Sequence, residues 1–308
     1  MKRIVITGLL LVLVVVAGDR FIGSLLSWGY HATTCGEIGR LNEVLDSVET
    51  PIVVVGSSRA LHHYVPSVIS DSTGLECYNC GFEGEQVQFY YALLRQLHAR
   101  YSPQLIVCEL TYDMDVDDLP WNVKLNHLRM MDRLSCRDSI LCSYDPLERV
   151  SLLSAIYPYN SLLPIIAMSQ KPDAYDAPDV DNGYMPQYRI FDDKRLNGEF
   201  RAKKTESVDS VKWSYLTKLV KEYGDKLIMF VSPRYMSKEN DIYGEVENLC
   251  ATHGVPFYCF VDHPVISTDI TLWDDDGHMN DRGARAYSQM VAPLIKQRLL
   301  QIQNKKQL

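Results

Sequence analysis

Residues 51–59 read Pro51-Ile52-Val53-Val54-Val55-Gly56-Ser57-Ser58-Arg59, a run of β-branched residues that stops at a glycine and hands over to two serines. Unbroken β-branched sequence, with no polar alternation, is the pattern of a strand buried on both faces, as in a parallel sheet covered by helices on either side. Outward from this stretch further short segments follow. Leu75–Tyr78, Leu105–Leu110, Lys226–Val231 and Phe257–Phe260 read as further strands. Helical periodicity covers Pro66–Ser72, Val87–Tyr101, Val208–Tyr223, Tyr243–His253 and Asp281–Gln301. Strand, loop and helix in rotation predict an α/β fold, a flavodoxin-like three-layer α/β/α sandwich with a parallel sheet of about five strands.

From about 115 to 204 the rhythm is lost, and Pro120, Pro146, Pro158, Pro164, Pro172, Pro178 and Pro186 punctuate short helical pieces. This stretch reads as an insertion or cap. Its Tyr157-Pro158-Tyr159-Asn160 and Gly183-Tyr184-Met185 segments are placed to line a pocket or to pack a small core.

The N-terminus is Met1-Lys2-Arg3 followed by an apolar run from Ile4 to Ala17. As a helix that run is about 21 Å long, short of a hydrocarbon core of about 30 Å and suited to a signal peptide. Val15-Val16-Ala17 offers a small-residue cleavage site, whereas Phe21 to Leu26 extends the apolar length and Arg20 can snorkel. The retained anchor is the preferred reading of residues 1–26, with the signal segment as its alternative. Lys2 and Arg3 then mark the inner side, which places the rest of the chain on the outer, extracytoplasmic face. Residues 27–50 read as a linker with one amphipathic helix from Glu37 to Val48, and 51–308 as the α/β domain.

The net charge of −8 comes with basic residues scattered along the chain, so no nucleic-acid partner is implied. Eight cysteines could pair in an exported domain. Cys77-Tyr78-Asn79-Cys80 has redox or half-zinc-site spacing, but with no second such pair and no histidine pair nearby the cysteines read as structural. No metal or other cofactor is implied.

In an open parallel sheet ligands gather at the carboxyl ends of the strands. There Gly56-Ser57-Ser58 offers a sharp turn with Ser58 at a helix start, either an exposed nucleophile or an ordinary N-cap. Near the other end, Asp275-Asp276-Gly277-His278 sets a carboxylate three residues before an imidazole. Such a pair can serve as general base and its orienting acid, or belong to a calcium-like cluster or solvated acidic turn with Asp274. His62 and His63 point in different directions and read as structural or surface residues rather than joint metal ligands.

Taken in order, the Gly-x-Ser turn after the first strand, Asn79 to Gly84, and the Asp-x-x-His with a following Asn-x-x-Gly resemble blocks one, two and five of the SGNH/GDSL hydrolases. The resemblance implies Ser58 as nucleophile, His278 as base, Asp275 as its partner, and the N–H groups of Ser58 and Gly84 as an oxyanion hole. More narrowly, the anchor with Gly-Ser-Ser-Arg resembles envelope members of that family, including acyltransferases, and so implies an acylated glycan or other envelope ester as substrate. The third block departs. Where the family has Gly-Asn-Asp this chain has Tyr112-Asp113-Met114. Asp113 would repel an oxyanion unless it is turned away or protonated, and Thr111 is a substitute donor. Arg59 beside the nucleophile is placed to bind an anionic substrate group or to pair with Asp113 or Asp275. The alternative to an enzyme is an SGNH-fold protein without turnover that binds or assembles envelope polysaccharide.

Overall fold

The computed structural model describes residues 1–110, 126–131, 134, 136–162, 166, 181–192, 209–236 and 242–305. By internal packing the chain forms two compact units, Val48–Pro120 with Pro178–Leu308, and Met1–Ser47 with Trp121–Ala177. The stretch read as a single insertion at 115–204 therefore divides between them.

The first of these units is built on five strands, β1 Ile52–Gly56, β2 Cys77–Gly81, β3 Leu105–Glu109, β4 Leu227–Val231 and β5 Phe257–Cys259. They pair in the order β2-β1-β3-β4-β5, every pair parallel. The fold is the expected three-layer α/β/α sandwich in the flavodoxin-like strand order. Strand side chains alternate between faces, so Ile52 and Val54 share one core with Ile69, Tyr287, Val291 and Ile295. That face carries the helices Ser58–His63, Pro66–Thr73 and Asp281–Lys305, and the other carries Val87–Arg100, Ser210–Tyr223 and Ile242–Thr252.

Strand β2 lies later than the sequence reading put it. Its ladder with β1 runs from Ile52 opposite Cys77 to Gly56 opposite Gly81, so Asn79 and Gly81, both poor strand formers, sit inside it. The Asn79 side chain explains why. Its Nδ2 donates to the carbonyls of Ala60 (2.7 Å) and Tyr64 (2.9 Å), and its Oδ1 accepts the N–H of Gly81 (2.9 Å). A residue that locks the neighbouring helix is worth more here than strand propensity.

The second unit contains an N-terminal helix, Lys2–His31, followed by Gly36–Asp46, Asn126–Met130, Arg137–Tyr144 and Glu148–Ser151. The N-terminal helix continues well beyond the apolar run and is long and apolar enough to cross a membrane. Its last turn packs Tyr30 against Tyr159 at 5.8 Å between ring centres, with Ile38 and Met130 in the same small core. Tyr159 is thus a packing residue. The predicted amphipathic helix runs Gly36–Asp46, and Asn42 Nδ2 ties it to the carbonyl of Tyr30 at 2.7 Å.

Candidate active site

The chain order crosses from one side of β1 to the other between β2 and β3, which opens a crevice at the carboxyl ends of β1 and β3. Gly56 closes β1 with φ +152°, and a side chain there would collide with Ala60 and the backbone of Glu109. Only glycine allows the strand to turn so tightly into the helix that begins at Ser58. Of residues 52–66, Ser58 alone is not buried. The turn thus presents one hydroxyl in an otherwise closed surface.

Ser58 Oγ lies 2.8 Å from His278 Nε2. On the far side of the imidazole, Nδ1 is 2.9 Å and 3.0 Å from the two carboxylate oxygens of Asp275. Because Nδ1 faces only acceptors it carries the proton, and Nε2 offers a lone pair to the serine hydroxyl. Burial pushes the Asp275 carboxyl up, but the His278 hydrogen bond and charge, with the N–H groups of Gly277 and His278, outweigh it and hold it down at about 2. The other two carboxylates have separate partners. Asp274 is buried against Arg189 (2.6 Å), and Asp276 pairs with Arg234 (3.2 Å). A shared calcium-like cluster is therefore not formed by these three, and among the described residues no group of ligating side chains is arranged for a metal.

Gly84 lies in the turn after β2 with φ +65°. The preceding Glu83 reaches His62 Nε2 at 2.5 Å, and the His62 ring stands 5.5 Å from that of His278. Thr111 and Asp113 lie outside the described residues. Asn280 anchors the loop from below, with Nδ2 donating to Thr271 O (2.9 Å) and Oδ1 accepting from Gly283 N (3.1 Å).

Arg59 is turned inward. Its Nε and Nη2 donate to Ser232 Oγ at 3.1 and 2.8 Å, Nη2 also donates to the carbonyls of Ser232 and Pro233, and its charge partner is Glu109 at 3.6 Å. The ion pair envisaged with Asp275 is not formed, since Asp275 is engaged by His278.

Beneath the site lie Glu109 and Ser232, to which the sequence reading assigned no role, and His63, expected to be structural or at the surface and found fully buried. Glu109 is fully buried at the end of β3 and accepts from Ser232 Oγ (2.7 Å), Ser232 N (3.0 Å) and Tyr64 Oη (2.5 Å). Burial raises its carboxyl above the usual range, against the pull of Arg59, Ser232 and Tyr64. His63 Nε2 accepts the N–H of Met279 at 3.0 Å and its Nδ1 donates to Ser232 Oγ at 2.8 Å, which fixes a neutral tautomer. Burial, then Arg59 and His278, hold this imidazole well below its ordinary value. The chain Met279–His63–Ser232–Glu109 fastens the residue after His278 to the ends of β3 and β4. A fourth element is the stretch 181–192, whose Gln187 O accepts the N–H of Asp281 (2.6 Å), whose Met185 O lies 2.6 Å from His62 Nδ1, and whose Tyr184 is buried.

All eight cysteines are free thiols, including Cys77 and Cys80 on β2.

No protein-family model matches the chain. No curated protein matches it either. Among solved structures, one described as "a putative platelet activating factor from Streptococcus pneumonia" aligns over 94% of this chain and 98% of that one, at 13% identity and a TM-score of 0.34. A likeness of that size carries no argument about fold or chemistry.

Proposed function

We propose that the protein is a membrane-tethered serine esterase or O-acyltransferase of the SGNH type, acting on an acylated glycan or another cell-envelope ester. The observation that carries this reading is the line of hydrogen bonds Ser58 Oγ to His278 Nε2 (2.8 Å) to Asp275 (2.9 Å), on the one accessible residue of a buried turn. A hydroxyl is a weak nucleophile until a base takes its proton. In this mechanism Ser58 Oγ attacks the ester carbonyl as its proton passes to His278 Nε2. Asp275 stabilises the imidazolium without taking the proton itself. The N–H groups of Ser58 and Gly84 hold the developing oxyanion. The imidazolium then protonates the leaving alkoxide, and water or a sugar hydroxyl, deprotonated by His278, releases the acyl group from Ser58.

The positive Lys2 and Arg3 before the apolar helix favour an extracytoplasmic, envelope location for the α/β unit. A second reading, an SGNH-type protein without turnover that binds or assembles polysaccharide, rests on Asp113 standing where the family's asparagine stands. Release of acetate from an acetylated oligosaccharide, measured in water and with a sugar acceptor, separates the possibilities. The proposal expects turnover by the wild type and loss of it in Ser58→Ala. Equal rates in the two proteins would overturn it, and an inactive wild type would favour the second reading.

A further inference from the structure

The short helix Glu148–Ser151 has its polarity turned inside out. Glu148 is buried, accepting from Arg129 Nη2 (2.8 Å), Arg129 Nε (3.2 Å) and Tyr157 Oη (2.7 Å). Holding the carboxylate inward turns the opposite face outward, and that face is apolar. Leu147 is 68% exposed, Val150 62% and Leu153 68%. They recur every third residue along one helical face, joined by Val150 N–H to Leu147 O (2.9 Å) and Leu153 N–H to Val150 O (3.1 Å). A helix bathed in water on that face shows the reverse arrangement, and grouped exposed apolar residues mark a contact surface.

The surroundings indicate what covers it. Immediately after the patch the chain is fastened to the N-terminal helix: Ser154 Oγ donates to Asp19 (2.5 Å), Ala155 N–H donates to the same carboxylate (2.9 Å), and Arg20 Nη2 donates to Leu153 O (2.7 Å). The contact is close enough that a methyl group at Gly23 would collide with Ala155. Asp19 and Arg20 stand where the apolar run ends. Because that run spans only about 21 Å of a hydrocarbon core of about 30 Å, a bilayer that contains it extends past Asp19 to the level of the patch. At that depth a bare carboxylate would be costly, and here Asp19 is satisfied by donors from the patch segment itself.

We infer that Leu147, Val150 and Leu153 form a second membrane contact, a helical turn seated at the headgroup and acyl boundary of the bilayer that the N-terminal helix crosses. Arg149, exposed on the same turn, extends toward the headgroups. The inference rests on the membrane-tethered reading of that helix, and its test separates the two.

The full-length protein is reconstituted in nanodiscs of phosphatidylethanolamine and phosphatidylglycerol, with p-benzoylphenylalanine placed in turn at Leu147, Val150, Leu153, Leu11 and Asp138. After irradiation, lipid adducts are read by mass. Adducts at the first three positions several-fold above the exposed Asp138 position are expected, together with adducts at Leu11. Adducts at Leu11 alone would overturn the second contact while leaving the tether standing. No adduct at Leu11 would overturn the tether and this inference with it. Cross-linked dimers at 147, 150 and 153 in place of lipid adducts would show that another copy of the chain covers the patch.

Discussion

Beneath the candidate active site polar groups are buried, whereas on the helix Glu148–Ser151 apolar groups are exposed, and the contrast is informative because each region reverses the usual partition. The buried carboxylate Glu109 and imidazole His63 are surrounded by partners, and the cost of desolvating them is met by hydrogen bonds that fix the loop carrying His278. The exposed Leu147, Val150 and Leu153 lack any such compensation in water. On the proposed function one departure from the rule organises chemistry, and the other calls for a different solvent.

The largest test of the contrast lies at the reacting atoms. Ser58→Ala and His278→Ala are each expected to lower acyl turnover by about 10⁴–10⁶-fold, and the double variant to be no worse than either, because the two act as a unit. Kinetics on the purified variants, with unfolding midpoints alongside, check this. An additive double variant would separate the residues. Asp275→Asn should lower kcat by about 10³–10⁴-fold by releasing the imidazole tautomer, with the fold retained.

One layer down, the effect should move from rate toward stability. His63→Ala leaves the buried Met279 N–H without its acceptor and opens a cavity, and should cost about 2–4 kcal/mol in denaturant unfolding. The same imidazole sets a pH dependence. Its folded-state value is depressed below 6.5, so below that pH the unfolded chain binds a proton that the folded chain refuses. Stability is full above pH 6.5 and falls as the pH drops beneath it, by at most about 1.4 kcal/mol per pH unit from this group. Unfolding curves between pH 5 and 7 should therefore be flatter for His63→Asn than for the wild type. An identical slope would remove His63 from the account.

The smallest effect belongs to the other region. Val150→Ser or Leu153→Ser should change the stability of the protein by no more than about 0.5 kcal/mol, since neither side chain is packed in the fold. A loss of several kcal/mol in detergent solution would mean that the patch is core after all.

How much of this was legible in the sequence follows from the range of each interaction. Strand β1 announces itself through unbroken β-branched sequence and β3 through the apolar run Leu105–Cys108, and Ser58 and His278 through short motifs in a fixed order. Strand β2 was displaced because Asn79 and Gly81 are chosen for contacts with a helix, which a propensity pattern does not register. The links joining Glu109, Ser232 and His63 were unread for a different reason. Glu109 and Ser232 are 123 residues apart and His63 and Ser232 are 169 apart, and each by itself is an ordinary polar residue beside an apolar segment. Arg59 was singled out for its place beside the nucleophile, but its partner Glu109 lies on another strand. The inverted polarity of Glu148–Ser151 was also hidden, because Arg129 and Tyr157, which draw Glu148 inward, belong to a proline-broken stretch without a readable period.

The claim at the centre of the account is that the Ser58 hydroxyl is activated by His278, and covalent labelling tests it most directly. The wild type, Ser58→Ala, Ser57→Ala and His278→Ala are treated with a fluorophosphonate, and the modified peptide is located by mass. The account predicts one adduct on Ser58 in the wild type and Ser57→Ala, none in Ser58→Ala, and strongly slowed labelling in His278→Ala. An unlabelled wild type under conditions that label a known serine esterase, or an adduct on Ser57, would contradict it.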